Sequence, residues 1–209
     1  MNTSILRDLS YGVYLIGSRK DGKAVGCIAN SVMQITSNPA KIAISINLEN
    51  YTNNAIEETN EFICSILPEN IDSNIIGTFG FKTSKDVDKY KEIKYTLKDG
   101  YPIVDGAIGY IKCKVVDKLQ VDTHTIFIGE VIESAKITNE VPMTYAYYHK
   151  VKKGKSPTKA PTYIEEVEEN GNKKYICMVC GYVYEEGELP ENFTCPICGV
   201  DGKMFKEVS

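Results

Sequence analysis

Over the first two-thirds of the chain, short apolar runs rich in Val, Ile and Tyr alternate with polar stretches. Tyr11–Arg19, Ala24–Ile28, Lys41–Leu48 and Phe62–Leu67 have the length and composition of β-strands. Two longer runs follow, Ile108–Leu119 and Thr125–Ile137. In the first, Ile111, Cys113 and Val115 fall on one side and Lys112 and Lys114 on the other, the two-residue period of a strand. Asn38-Pro39, Lys98-Asp99-Gly100 and Val104-Asp105-Gly106 are turn signals. Thr52–Asn60 and Ile71–Phe79 read as helices. Six or more strands with few helices predict a mainly β barrel or sandwich.

The strand pattern stops at a polar, basic, proline-bearing stretch, 152–161, followed by the acidic run 165–172. Such composition suits an extended arm and linker. A length of 209 residues accommodates one domain of about 150 residues plus a small module. The expected division is 1–163, a linker at 164–172, and 173–209. Charge divides at nearly the same place. Residues 1–165 hold 20 Lys+Arg against 19 Asp+Glu, while residues 166–209 hold 4 against 9. The terminal module is therefore acidic, which fits docking to a basic face and argues against nucleic acid. The longest apolar runs fall short of a membrane span. No targeting segment is seen, so the cytoplasm is the expected location.

The terminal module carries the clearest chemistry. Cys177-Met-Val-Cys180-Gly181 and Cys195-Pro-Ile-Cys198-Gly199 are two matched turns separated by fourteen residues. A two-residue spacer lets both sulfurs of a turn face one ion, and the following glycine lets the backbone fold back with positive φ. Four thiolates in a tetrahedron select zinc or iron. A pair of disulfides is the weaker reading, because Cys27, Cys64 and Cys113 lie singly in apolar surroundings, as in a reducing compartment. A module under forty residues cannot build a large core, so a metal and the aromatics Tyr175, Tyr182, Tyr184, Phe193 and Phe205 must hold it.

The larger domain is poor in acid–base groups. It has two histidines, His124 and His149, no Gly-x-Ser-x-Gly, no Gly-x-Gly-x-x-Gly and no phosphate-cradling P-loop. Hydrolase triads, Rossmann domains and P-loop NTPases are excluded, and no catalytic side chain stands out. A cofactor is then expected to carry the chemistry.

Two resemblances give that cofactor an identity. Tyr-Ile-Cys177-Met-Val-Cys180-Gly-Tyr-Val-Tyr, then Cys195-Pro-Ile-Cys198-Gly-Val, then Phe205, resembles the rubredoxins, whose site is a mononuclear iron held by four cysteines. The stretch between the pairs is short, closer to the rubredoxin-like tails of rubrerythrins. Upstream, Gly26-Cys-Ile-Ala29-Asn30-Ser31, Asn47-Leu-Glu-Asn50-Tyr-Thr52, Phe79-Gly-Phe81-Lys82-Thr83-Ser84-Lys85-Asp86 with Lys89, and His124-Thr-Ile-Phe-Ile-Gly129 resemble, in order, the flavin-reductase-like, FMN-binding split β-barrels. The resemblance implies flavin contacts from Ala29, Asn30, Ser31, Ser45, Asn47, Phe81 and His124. It implies phosphate contacts from Thr52, Thr83, Ser84, Lys85 and Lys89, and a cofactor contact from Lys82. Where the family commonly has Ser-Gly-Arg-Asp, this chain reads Thr83-Ser84-Lys85-Asp86, which keeps the positive charge but not the glycine.

A flavin barrel followed by a rubredoxin-type tail resembles the high-molecular-weight rubredoxins of anaerobes. The resemblance implies a homodimeric relay that takes hydride from NAD(P)H to FMN and passes single electrons through Fe(Cys)4 to a protein acceptor, often a flavodiiron reductase of O2 or NO. Two other readings stay open on the residues alone. One is a flavin reductase with a structural zinc ribbon; the other is a non-enzymatic electron carrier.

Overall fold

The computed structural model describes residues 3–152, 154, 156–157, 160–163, 174–185 and 187–208. The linker expected at 164–172 lies outside the described residues. Seven strands form one antiparallel sheet: β1 (Tyr14–Lys20), β2 (Lys23–Ala29), β3 (Val32–Ser37), β4 (Ala40–Asn47), β5 (Glu61–Ile66), β8 (Gly109–Val121) and β9 (His124–Lys136). Their order is β2-β1-β5-β8-β9-β4-β3. The sheet curls around an interior of Ile16, Cys27, Ile42, Ile44, Ile46, Ile56, Phe62, Cys64, Cys113 and Phe127. The helix α1 (Tyr51–Thr59) closes that interior with Ile56, and Asn50 caps its first turn by accepting from the Thr52 N–H at 2.9 Å.

A second core covers the outer face. Leu15, Ile63, Leu67, Ile75, Ile76, Phe79, Tyr90 and Tyr101 pack together. They come from β1, β5 and the residue after it, the helix α2 (Ser73–Phe81), the connection that follows α2, and β7 (Tyr101–Val104), which forms a hairpin with β6 (Tyr95–Lys98). β1 and β5 are thus buried on both faces, which is why their sequences read as continuous apolar runs rather than alternating ones. The short helix α3 (Tyr145–Lys150) adds Tyr148 to this core. The fold is mainly β, as expected, and the expected strands and both helices appear within a few residues of their places.

Three differences from the sequence reading have local causes. β3 is a strand with one partner, exposed on both faces from Met33 to Ser37, so Met33 and Ile35 carry no burial signal. The β6–β7 hairpin turns at Asp99-Gly100, where φ is 48° and 83°. The dipeptide marks the turn, but each strand is only four residues long. The hairpin in turn covers Lys112, which is 6% exposed and places its ammonium 2.9 Å from Asp99 and over the Tyr101 ring. Register shifts at Lys112/Cys113 and Val115/Asp117 also break the simple alternation expected along β8.

The terminal lobe is a three-stranded sheet of β10 (Lys174–Cys177), β11 (Val183–Tyr184) and β12 (Phe205–Val208), in the order β11-β10-β12. No helix among the described residues is long and apolar enough to cross a membrane.

Candidate metal centre and cofactor face

The two cysteine turns have the same hydrogen bonding. In the first, Gly181 N donates to Cys177 O at 2.8 Å and Cys177 N donates to Tyr182 O at 2.8 Å. In the second, Gly199 N donates to Cys195 O at 2.9 Å and Cys195 N to Val200 O at 2.8 Å. Gly181 and Gly199 take φ of 73° and 69°, a left-handed conformation that side chains resist. With the chain reversed this way, the N–H of Tyr182 points at the Cys180 sulfur and that of Val200 at the Cys198 sulfur. Residues 197 and 198 turn their N–H groups on Cys195.

All four Sγ atoms lie within 4.8 Å of one another and all four residues are buried. Cys177 to Cys198 is 3.6 Å and Cys180 to Cys195 is 3.4 Å. A tetrahedron with metal–sulfur bonds of about 2.3 Å has edges of about 3.8 Å, so the cage has the size of one ion. The hydrogen bond from Cys180, and then the backbone N–H groups, hold the Cys195 thiol down at about 5, while the same contact pushes Cys180 far up. Burial raises Cys198 to about 12. Four buried sulfurs within reach of one ion, with backbone N–H groups turned on them, fit a metal cation.

The polar residues expected at a flavin gather at one end of the barrel. Ala29 ends β2; Ser31 O accepts from Ser45 N on β4 at 3.0 Å. Asn47 stands opposite His124 in the β4–β9 register. Ser31 Oγ donates to Asn30 Oδ1 at 3.1 Å, and Asn30 Nδ2 donates to Thr162 Oγ1 at 2.9 Å. Thr162 also bonds the Tyr145 hydroxyl at 2.8 Å, so the strap leaving the barrel crosses this face. Sequence patterns gave no sign of Thr162, because the contact joins residues 132 positions apart.

Phe81 ends α2 and Lys82, Thr83, Ser84 and Lys85 follow it; the helix packs on β2 through Gly80 and Ile28. Lys82, Thr83 and Lys85 are exposed. Lys82 and Lys89 also line a cavity of about 190 Å³ together with Thr78 and Lys91. Lys89 itself is 4% exposed and donates to Gly26 O at 2.9 Å and Phe79 O at 3.3 Å, tying α2 to β2. Burial lowers its ammonium to about 8.

Three of these residues have a buried polar atom without a hydrogen-bond partner among the described residues: Thr52 Oγ1, Ser84 Oγ and His124 Nε2. Such atoms carry a desolvation cost unless a ligand meets them. His124 Nδ1 is 2.8 Å from Thr123 Oγ1, and burial lowers its pKa, which keeps the ring neutral at physiological pH. Unpaired hydroxyls, small side chains at Ala29 and Ser31, and lysines nearby fit a phosphate-bearing flavin.

The lobe rests on the barrel. Phe81 packs against the cysteine cluster, and Cys198 lies over Gly77 of α2. Tyr148 is also at this contact; burial first, and then Cys180, Tyr145, Cys195 and Cys198, raise its phenol well above the ordinary tyrosine range.

Residues 6–155 match the flavin reductase like domain, and residues 175–206 match the rubrerythrin, rubredoxin-like domain. The chain is 37% identical over 229 aligned residues to the high molecular weight rubredoxin of Moorella thermoacetica, covering 100% of both chains. It is 40% identical over 167 residues to the ferric-chelate reductase (NAD(P)H) of Archaeoglobus fulgidus, covering 79% of this chain and 99% of that one. Among solved structures, flavin reductase HpaC complexed with NADP+ aligns with a TM-score of 0.60 at 26% identity, over 68% of this chain and 89% of that one.

Proposed function

The chain belongs to the flavin reductase like family and, with its rubredoxin-like tail, to the high molecular weight rubredoxins; from that premise we propose a two-centre electron relay. It is an NAD(P)H-dependent oxidoreductase. In this reading it draws electron pairs from NAD(P)H at an FMN held by the barrel, residues 1–163. It delivers them singly through Fe(Cys)4 in residues 173–209, the two joined by 164–172. The observation that carries the proposal is the ion-sized cage of four buried sulfurs, packed directly on a flavin-type barrel in the same chain.

When bound, the flavin supplies a carrier that accepts two electrons together and releases them singly, and the iron supplies a one-electron couple. The chain's part is binding and orientation. Ala29 and Ser31 let the ring edge approach the backbone, while Asn30, Ser45 and Asn47 offer polar groups along it. His124, neutral and fixed through Nδ1, presents Nε2. Thr52 presents its unpaired hydroxyl on the first turn of α1, where the helix N-terminus favours an anion. Thr83 and Ser84 offer hydroxyls and Lys82 and Lys85 positive charge to a phosphate. Phe81 shields the metal side. Lys89 acts from beneath, holding α2 against β2. Cys177, Cys180, Cys195 and Cys198 hold the iron.

Met33, Ile35, Leu119 and Val121 are exposed apolar side chains on β3 and β8, a surface that suits a homodimer. The acidic lobe suits a basic docking face on a protein acceptor, and the acceptor class this reading names is a flavodiiron protein. A second reading has the barrel reduce ferric chelates directly, since the Archaeoglobus reductase is matched over 99% of its length by 79% of this chain.

An absorption spectrum of iron-loaded protein, followed by anaerobic NADH and NADPH titration, tests the relay. Flavin and iron–thiolate bands that both bleach with a nicotinamide support it. A yellow protein with one zinc per chain, or bands that only dithionite bleaches, overturns it.

A further inference from the structure

Both cysteine turns end on one helix of the barrel. A Cβ at Gly77 would lie 2.6 Å from Cys198 Cβ and 3.1 Å from its Cα, so no side chain fits at 77 while the lobe is in place. After Cys180, a Cβ at Gly181 would lie 3.8 Å from the Phe81 ring. Gly77 and Phe81 are four residues apart on α2 and share a face. Glycine in a helix interior is unfavourable relative to alanine. The lobe contact gives Gly77 a reason to be in the middle of a nine-residue helix.

Next to that face, three residues on from Gly77, α2 meets the flavin strand. A Cβ at Gly80 would meet Ile28 at 3.8 Å, and Ile28 precedes Ala29. The metal cage and β2 thus meet the same short segment of α2, which at Gly77 and Gly80 is bare backbone.

We infer that α2 is the seat on which the metal centre docks within its own chain to receive electrons. Gly77 is the positioning residue that sets the approach of Cys198, and Phe81 is the contact under Cys180-Gly181. The inference rests on the relay proposed above. NAD(P)H gives NAD(P)+, a proton and two electrons to the flavin. With both groups bound, each transfer to the docked centre would oxidise the flavin by one electron and reduce ferric iron to ferrous, and the second would follow once a one-electron acceptor outside the chain had reoxidised the iron.

Gly77→Leu in the full chain tests the seat in two ways. Zinc-loaded protein transfers no electrons and reports docking alone by amide hydrogen exchange. Exchange at 195–199 and 75–81 should rise at least tenfold in the variant while 62–66 stays unchanged. In iron-loaded protein, NADH should still reduce the flavin. Iron reduction, first-order and independent of protein concentration in the parent, should slow at least tenfold. Gly77→Ala should show the same effects in smaller degree and stands in if the leucine variant does not fold. Gly80→Ala, which adds only an ordinary contact, should show neither. Unchanged exchange and rate in both Gly77 variants would overturn the seat. So would parent iron reduction whose rate scales with concentration. If neither nicotinamide reduces the flavin, the relay fails, and the zinc-form exchange still decides the docking.

Discussion

The barrel and the lobe divide stability and chemistry differently. In the barrel the two are kept in separate residues. Its cores are mostly Ile, Val, Leu, Phe and Tyr with three buried cysteines, and its candidate cofactor residues are mostly polar. In the lobe they coincide: four of the six buried residues in its cluster are the metal cysteines. The barrel should therefore stand without its cofactor, whereas the lobe should not. The same division explains why the lobe can be short and why its chemistry is written so locally.

The sharpest test of that contrast is to remove the metal. Apparent binding free energies for structural zinc in small domains are about 10–16 kcal/mol, far more than Tyr182, Ile197 and a few half-buried aromatics can replace. Chelation, or Cys180→Ser, is expected to unfold 174–208 and leave the barrel's melting transition in place, as read by residue-resolved NMR. A lobe that keeps its dispersed amide signals without metal would break the comparison.

The reciprocal test is Phe62→Ala. Phe62 is fully buried, with its ring against Gly129 and Cys113 in the barrel interior. Removing a buried phenyl costs about 3–5 kcal/mol. Denaturant unfolding should show that loss in the barrel, with the metal spectrum of the lobe unchanged. Loss of the metal bands in this variant would mean that the two units share one cooperative fold.

The two regions also differed in how much the sequence disclosed. Cys177, Cys180, Cys195 and Cys198 could be assigned from spacing, because two short turns determine where four sulfurs go. The main strands were legible from apolar runs, since burial on one or both faces leaves a composition signal. The cofactor face was legible only through ordered resemblance: Ser31, Asn47, Thr52 and His124 come from β2 onward to β9, and no periodicity connects them. Lys89 was expected at the phosphate, yet its ammonium lies under α2, because the carbonyls of Gly26 and Phe79 accept it there. Gly77 and Thr162 left no mark at all; their roles exist only once distant segments meet.

Lys89 supplies a pH test that belongs to the barrel alone. Its ammonium sits at about 8 in the folded chain against 10.5 ordinarily. The folded state therefore binds fewer protons than the unfolded state between those values, and stability from this group rises with pH across that window. Below pH 8 the full penalty of the buried charge, about 3 kcal/mol, is present. Cys27 and Tyr90, both raised by burial, titrate nearby with the opposite sign. The difference between the parent and Lys89→Met isolates the lysine. Urea unfolding at pH 7.5 and 10 should show the parent gaining on the variant by up to about 3 kcal/mol. Parallel pH profiles would show that folding does not lower the Lys89 pKa.

The smallest expected effect bears on the barrel's separation of fold from cofactor. Thr52 is fully buried, its Oγ1 has no partner among the described residues, and its backbone N–H is already held by Asn50. Thr52→Val keeps the shape and the cap and removes only the hydroxyl. Without flavin, deleting an unsatisfied buried hydroxyl should leave stability unchanged or raise it by about 1 kcal/mol. With flavin, losing one hydrogen bond should weaken binding about tenfold, or about 1.4 kcal/mol. Melting of the flavin-free protein and a fluorescence titration with FMN give the two numbers. Opposite signs in the two forms would place the hydroxyl in the cofactor face. A variant destabilised without flavin, with unchanged affinity, would place it in the fold, where the Cys27 thiol beside it would then be its partner.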